Sequence, residues 1–135
     1  MRIDKNDLLL YAVTDRQWLG EASLAEQLEE AIQAGVTVVQ LREKELDFDA
    51  FVSLGKELQA VAKRHRIPFI INDAVDGALA VGADGGHVGQ SDMQAGDVRS
   101  RIGEGKILGV SAHSVEEALA AERNGADYLG VGAIY

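Results

Sequence analysis

Short apolar runs of strand length alternate along this chain with stretches in which apolar residues recur every three or four positions. That alternation predicts parallel βα units, because strands covered on both faces read as continuous apolar runs while crossover helices bury one stripe. Six strands are expected, at about Leu8 to Val13, Val36 to Arg42, Pro68 to Asn72, Gly85 to Val88, Ile107 to Ser111 and Asp127 to Ala133, with five helices. Ser23 followed by Glu26 reads as a capping box; Leu24, Leu28 and Ile32 then share one helical face, and Gly35 ends it. Ser114 with Glu117 repeats the start, and Gly125 repeats the stop. Phe51, Leu54, Leu58, Val61 and Ala62 mark the core face of a helix from about Asp47 to His65, after which Pro68 enters the next strand. Gly82-Ala83-Asp84-Gly85 and Gly125-Ala126-Asp127-Tyr128 are two copies of one helix-to-strand junction.

Strand onsets are spaced by about 24 residues on average, which suits a (β/α)₈ barrel of the TIM type; eight such units would need roughly 190 residues. This chain has 135, and its last residues, Gly132-Ala133-Ile134-Tyr135, fall inside or just after the sixth strand. The expectation is one α/β barrel domain over residues 1–135 with about six βα units, truncated after the sixth strand. An open doubly wound sheet is the competing architecture, but the first βα junction carries no G-x-G-x-x-G, so a dinucleotide site has no support.

Composition narrows the function. With 13 Lys plus Arg against 22 Asp plus Glu, the net charge of −9 disfavours nucleic acid and anionic membrane as partners, and an anionic ligand must be held by a few local cations. No cysteine is present, which removes disulfides, thiolate zinc sites and cysteine nucleophiles. No apolar run approaches the ~20 residues that span a bilayer, and Met1 to Asp7 lacks the apolar core of a signal peptide, so a cytoplasmic location is expected. One Pro and 15 Gly, with no Ser-rich or like-charge tract, leave no linker.

In a parallel βα fold the carboxyl ends of the strands face a shared pocket. On the second strand, Gln40, Arg42 and Lys44 are spaced to project from one face, while Val39 and Leu41 project from the other. Arg42 offers a planar fork and Lys44 a point charge, a pairing suited to phosphate or diphosphate; a solvated strand end before the charged loop Glu43 to Asp47 is the competing reading. Asp73 and Asp92 follow neighbouring strands and can converge on Mg²⁺, which takes one or two carboxylates and completes its shell with waters and phosphate oxygens. Each could instead cap a helix. Asp76 fits a helix surface and Asp84 a junction.

Ser111 and His113 end the fifth strand, but without G-x-S-x-G or an orienting acid Ser111 reads as a hydrogen-bond donor to an anion. His113 could transfer a proton or pin its loop, His65 ends a surface helix, and His87 reads as a packed, hydrogen-bonded histidine. Trp18 and Leu19 could close the pocket or cover an end of the core.

Six segments together resemble the thiamine phosphate synthase family: Leu10 to Arg16, Val39 to Lys44, Ile71 to Asp73, His87 to Met93, Leu108 to His113 and Gly125 to Gly132. They occur in family order and span most of the chain. The resemblance implies a TIM barrel transferase of thiamine biosynthesis. It joins 4-amino-2-methyl-5-(diphosphooxymethyl)pyrimidine to 4-methyl-5-(2-phosphooxyethyl)thiazole, releasing diphosphate, through a pyrimidinylmethyl cation that the thiazole nitrogen attacks. It further implies substrate contacts from Gln40, Leu41, Arg42, Glu43, Lys44, Asn72 and Ser111, catalytic roles for Arg42, Lys44 and Ser111, and Mg²⁺ held by Asp73 and Asp92.

The family continues with a Pro-Thr-x-Thr-Lys-like segment and glycine-rich turns for the thiazole phosphate, before which this sequence stops, so the isolated chain is expected to be inactive. The related thiazole tautomerase is the nearest alternative enzyme and would use a histidine in the His113 loop, although it handles no diphosphate. A non-catalytic module that self-associates through the edges of its first and last strands is the alternative from another class.

Overall fold

The computed structural model describes residues 3–15, 23–90 and 94–132. Helix starts follow local chemistry. The Ser23 hydroxyl accepts from the Glu26 amide and opens α1 (Leu24–Gln33), and the Asp47 carboxylate accepts from the Ala50 amide and opens α2 (Phe48–Arg64). The Ser114 hydroxyl likewise opens α5 (Val115–Arg123). At that cap the Glu117 carboxylate reaches one residue past the expected capping-box partner and accepts from the His113 amide at 2.7 Å. Among the described residues two shorter α-helices, α3 (Val75–Val81) and α4 (Ala95–Ile102), lie between α2 and α5.

Six strands alternate with these helices: β1 (Tyr11–Val13), β2 (Val38–Leu41), β3 (Phe69–Asn72), β4 (Gly85–Val88), β5 (Ile107–Ala112) and β6 (Tyr128–Val131). They form one parallel sheet in the order β1-β2-β3-β4-β5-β6. The sheet curls. Side chains from its first and last strands meet across the inner face, with the Tyr11 and Tyr128 rings 5.7 Å apart. The result is a partial TIM-type α/β barrel of six units, as the periodicity predicts.

Several strand boundaries differ from expectation, most by a single residue. The first strand begins at Tyr11 rather than Leu8, which instead closes a 3-10 turn, Lys5–Leu8, held because the Asp4 carboxylate accepts from the Asn6 amide while the Asp7 carboxylate accepts from the Asp4 amide. That turn brings Ile3 beneath the sheet, 3% exposed. The second strand runs from Val38 to Leu41 rather than from Val36 to Arg42, so Arg42 follows it in a loop, and the sixth is described from Tyr128 to Val131, with Ala133 outside the described residues.

Inward positions at the amino end are apolar: Val38, Ile70 and Ile107 pack with Ile3 against Leu8 and the bodies of Tyr11 and Tyr128. Outward positions form two clusters under the helices, one joining β2 and β3 to α1, α2 and α3, the other joining β4 and β5 to α4 and α5. The two Gly-Ala-Asp junctions do the same work. Each glycine turns left-handed at the helix end, φ +73 at Gly82 and +95 at Gly125. Each aspartate then accepts a backbone amide of an earlier strand, Asp84 from Phe69 and Asp127 from Leu108, both at 2.8 Å. Buried Arg99 adds a tie at this edge, donating to the Gly103, Lys106 and Gly125 carbonyls and pairing with Asp127 at 2.8 Å.

Candidate active site

At the carboxyl edge the inner face turns polar and opens into a cleft of about 660 Å³. Gln40, Arg42, Lys44, Asn72 and Ser111 all line it. The first of these is 5% exposed and inside the barrel, whereas Arg42 and Lys44 lie past the strand end with exposed side chains. Thr14 holds that departing backbone: its amide donates to the Gln40 carbonyl at 3.0 Å, and its hydroxyl accepts from the Arg42 amide at 3.0 Å. The two cations therefore reach one cleft without the regular strand geometry that their spacing suggested.

Side chains inside the cleft are tied in an open ring that begins at Asn72 and ends at Ser111, with one member from each strand. Asn72 Nδ2 donates to Gln40 Oε1 at 2.9 Å, and Gln40 Nε2 donates to the Tyr11 hydroxyl at 2.8 Å. The Tyr11 and Tyr128 hydroxyls hydrogen-bond to each other at 2.5 Å. His87 bridges the rest, with Nδ1 3.0 Å from the Tyr128 hydroxyl and Nε2 2.9 Å from Ser111 Oγ. Burial pushes both phenols above their ordinary pKa, and at Tyr128 the neighbouring Tyr11 pushes the same way. Two neutral hydroxyls, each able to donate and accept, therefore sit at the centre of the ring.

Small residues make the ring sterically possible. A Cβ on Gly109 would stand 2.1 Å from Tyr128 Cζ, so the tyrosine ring crosses β5 only because that position is glycine. A Cβ on Gly130 would be 3.3 Å from the His87 imidazole. Gln40, Asn72 and Ser111 are legible from the sequence as site residues, whereas Tyr11, His87 and Tyr128 are not; His87 is packed and hydrogen-bonded, as expected, and lines the cleft as well.

Asp73 stands beside the cleft at the end of β3, with φ +61 and its amide donating to the His87 carbonyl at 2.7 Å. Its carboxylate lies 3.6 Å from Lys44 Nζ, and α3 begins after Ala74 with no side-chain cap, so Asp73 does not serve as that helix's cap. Asp92, with Trp18 and Leu19, lies outside the described residues. Two other members of the expected substrate set stand elsewhere. Leu41 is fully buried in the outer cluster, its side chain directed away from the cleft, as alternation along the strand requires. Glu43 lines a neighbouring hollow with Thr14 and Asp15.

Asp76, Asp84, His65 and His113 have structural partners. Asp76 pairs with Arg101 on the surface, Asp84 holds its junction, and His65 meets Glu29 at 2.6 Å. His113 Nδ1 lies 2.7 Å from the Gly132 carbonyl, which pins the end of β6, and the residue does not line the cleft.

A family model described as thiamine monophosphate synthase matches residues 10–135. The thiamine-phosphate synthase of Clostridium acetobutylicum is 57% identical over 129 residues, covering 96% of this chain and 61% of that protein. Its counterpart in Clostridium tetani is 54% identical, covering 96% of this chain and 62% of that protein. The solved thiamine phosphate pyrophosphorylase of Pyrococcus furiosus superposes with a TM-score of 0.89 at 39% identity, covering 97% of this chain and 63% of that one. This chain thus spans about three fifths of the length of the relatives it matches. On the family match across residues 10–135, the chain belongs to the thiamine monophosphate synthase family.

Proposed function

We propose that the cleft binds a pyrimidine diphosphate and that the chain serves a Mg²⁺-dependent transferase joining it to a thiazole phosphate, in the cytoplasm, to make thiamine phosphate and diphosphate. The observation that carries this reading is the convergence of Gln40, Arg42, Lys44, Asn72 and Ser111 on one cleft in a chain of net charge −9. Two cations held together in an acidic protein suit a polyanion. Among the described residues, no helix is long and apolar enough to cross a membrane.

Arg42 supplies a fork that matches two phosphate oxygens, and Lys44 a point charge beside it. Gln40 and Asn72, bonded to each other, present fixed amide edges to a heterocycle carrying donors and acceptors. Ser111 donates to an oxygen or ring nitrogen of the same ligand. In a chain of the relatives' full length, charge building on the departing diphosphate would be stabilised by Arg42 and Lys44 without reorganisation, so the leaving step is the one these residues serve.

Magnesium suits the donor set. Asp73 offers a hard, partly exposed carboxylate beside the proposed phosphate position, and Mg²⁺ needs only one or two such ligands. In this reading Asp73 and Asp92 hold the ion, which when bound offsets charge on the leaving group.

The thiazole-phosphate half of the reaction is assigned to a chain of the relatives' full length, and the 135 residues alone are expected to bind the pyrimidine diphosphate without turning it over. Calorimetric titration of the pyrimidine diphosphate with and without Mg²⁺ tests the first half. Arg42→Lys keeps the charge but loses the fork and should weaken binding by ~1 to 3 kcal/mol. Binding indifferent to Arg42→Lys, to Asp73→Ala and to Mg²⁺ would contradict the reading.

A further inference from the structure

The ring that joins all six strands contains two histidine bonds whose proton arrangement is linked to every other member. Two amides orient one end: Asn72 Nδ2 donates to Gln40, and Gln40 Nε2 donates to the Tyr11 hydroxyl. Tyr11 then has one proton to place. If it goes to Tyr128, Tyr128 must donate to His87 Nδ1, His87 must carry its proton on Nε2 and give it to Ser111 Oγ, and the Ser111 proton is left to point into the cleft. If the order reverses, Tyr11 accepts twice and the spare proton sits on Tyr11.

The two arrangements differ in where that spare donor lies. Tyr11 and Tyr128 line the cleft too, but their rings pack against the apolar plug of Ile3, Val38, Ile70 and Ile107 and burial holds both phenols neutral, so an unmatched donor is costlier there. Ser111 lies one inward position beyond Gly109, whose register partner is Tyr128, and lines the cleft. A donor there is also what an anionic ligand needs.

We propose that His87 is a positioning residue. Held as the Nε2–H tautomer by the Tyr128 hydroxyl, it donates to Ser111 Oγ and so makes Ser111 a hydrogen-bond donor to an oxyanion in the cleft. The ligand part of this inference rests on the diphosphate reading above; the tautomer part does not.

Two measurements separate them. Nitrogen NMR of the ¹⁵N-histidine-labelled chain at about pH 8.5, where an ordinary imidazole is neutral, reads the tautomer directly. His87 should show a protonated Nε2 and a bare Nδ1, and Tyr128→Phe should let the two tautomers mix. An Nδ1–H tautomer in the unaltered chain, or no response to Tyr128→Phe, would overturn the proposal. The second measurement titrates inorganic diphosphate with Mg²⁺. His87→Gln, which keeps a donor toward Ser111, should stay within roughly threefold of the unaltered chain, while His87→Phe should lose roughly tenfold or more. In a Ser111→Ala background His87→Phe should add nothing, because its effect runs through that hydroxyl. Equal losses in both backgrounds would overturn the positioning role even if the tautomer is as stated. If the unaltered chain binds no diphosphate, the proposed function fails and the nitrogen shifts alone decide the tautomer.

Discussion

At the amino end of the barrel interior Val38, Ile70 and Ile107 close on Ile3 as an apolar plug, while farther along the same inward faces Gln40, Asn72 and Ser111 enter a hydrogen-bonded ring. On β2 and β3 the change takes a single inward step, from Val38 to Gln40 and from Ile70 to Asn72. One backbone geometry thus supports two jobs. The plug gains from removing carbon from water and is indifferent to direction, whereas the ring gains only if each donor finds an acceptor. Burial under the sheet stabilises the first kind of end; the second is held by geometry that the first makes rigid.

The comparison is broken most severely from below. Ile70 is fully buried in the plug, so Ile70→Ala should cost about 2 to 5 kcal/mol in urea unfolding, the range for buried aliphatic truncations. A smaller loss would mean that the plug is loosely packed. Gly109→Ala attacks the join between the two ends, since the new Cβ would stand 2.1 Å from Tyr128 Cζ. A cost of about 1 to 3 kcal/mol is expected, together with a changed tyrosine near-ultraviolet signal as the ring is displaced.

The tyrosines add a pH signature to the same join. Their folded pKa values lie above the ordinary 10.0 because burial opposes the phenolate, so the folded state retains protons that the unfolded chain releases. Their stabilising contribution is complete below about pH 10 and declines as pH rises beyond it, by up to about 1.4 kcal/mol per unit for each tyrosine. Unfolding free energies measured from pH 8 to 11 should fall over the upper part of that range, and Tyr128→Phe should flatten the fall. The smallest effect belongs to the rim. Lys44 and Asp73 pair at 3.6 Å with side chains 53% and 42% exposed, so Lys44→Ala should change stability by less than about 0.5 kcal/mol.

Much of this was legible from local pattern. Caps at Ser23 and Ser114, the long helix from Asp47, the two Gly-Ala-Asp junctions and the strands around Val39, Ile71 and Val110 all follow from signals within a few residues. The misread start has a local cause too: reciprocal Asp4 and Asp7 caps fold Lys5–Leu8 into a turn although Leu8, Leu9 and Leu10 look like strand. The cations were legible by type, not by geometry, since β2 ends at Leu41 and Thr14 redirects the chain. Tyr11, His87 and Tyr128 escaped as site residues because their partners lie 41 and 117 positions apart and meet only when the sheet curls. The one faint clue was glycine at 109 and 130, small residues in otherwise apolar strands.

The central claim is that the polar end, not the other, takes the anion, and the amino edge offers a fair control. A cleft of about 630 Å³ there carries Lys63 and Arg66, two cations without a ring behind them. Titration of diphosphate with Mg²⁺ into three chains, unaltered, Arg42→Ala with Lys44→Ala, and Lys63→Ala with Arg66→Ala, compares the two ends directly. The account predicts that the Arg42 and Lys44 substitutions reduce affinity roughly tenfold or more while the Lys63 and Arg66 pair leaves it within roughly twofold. Loss of binding from the Lys63 and Arg66 substitutions, with the Arg42 and Lys44 variant unaffected, would contradict it.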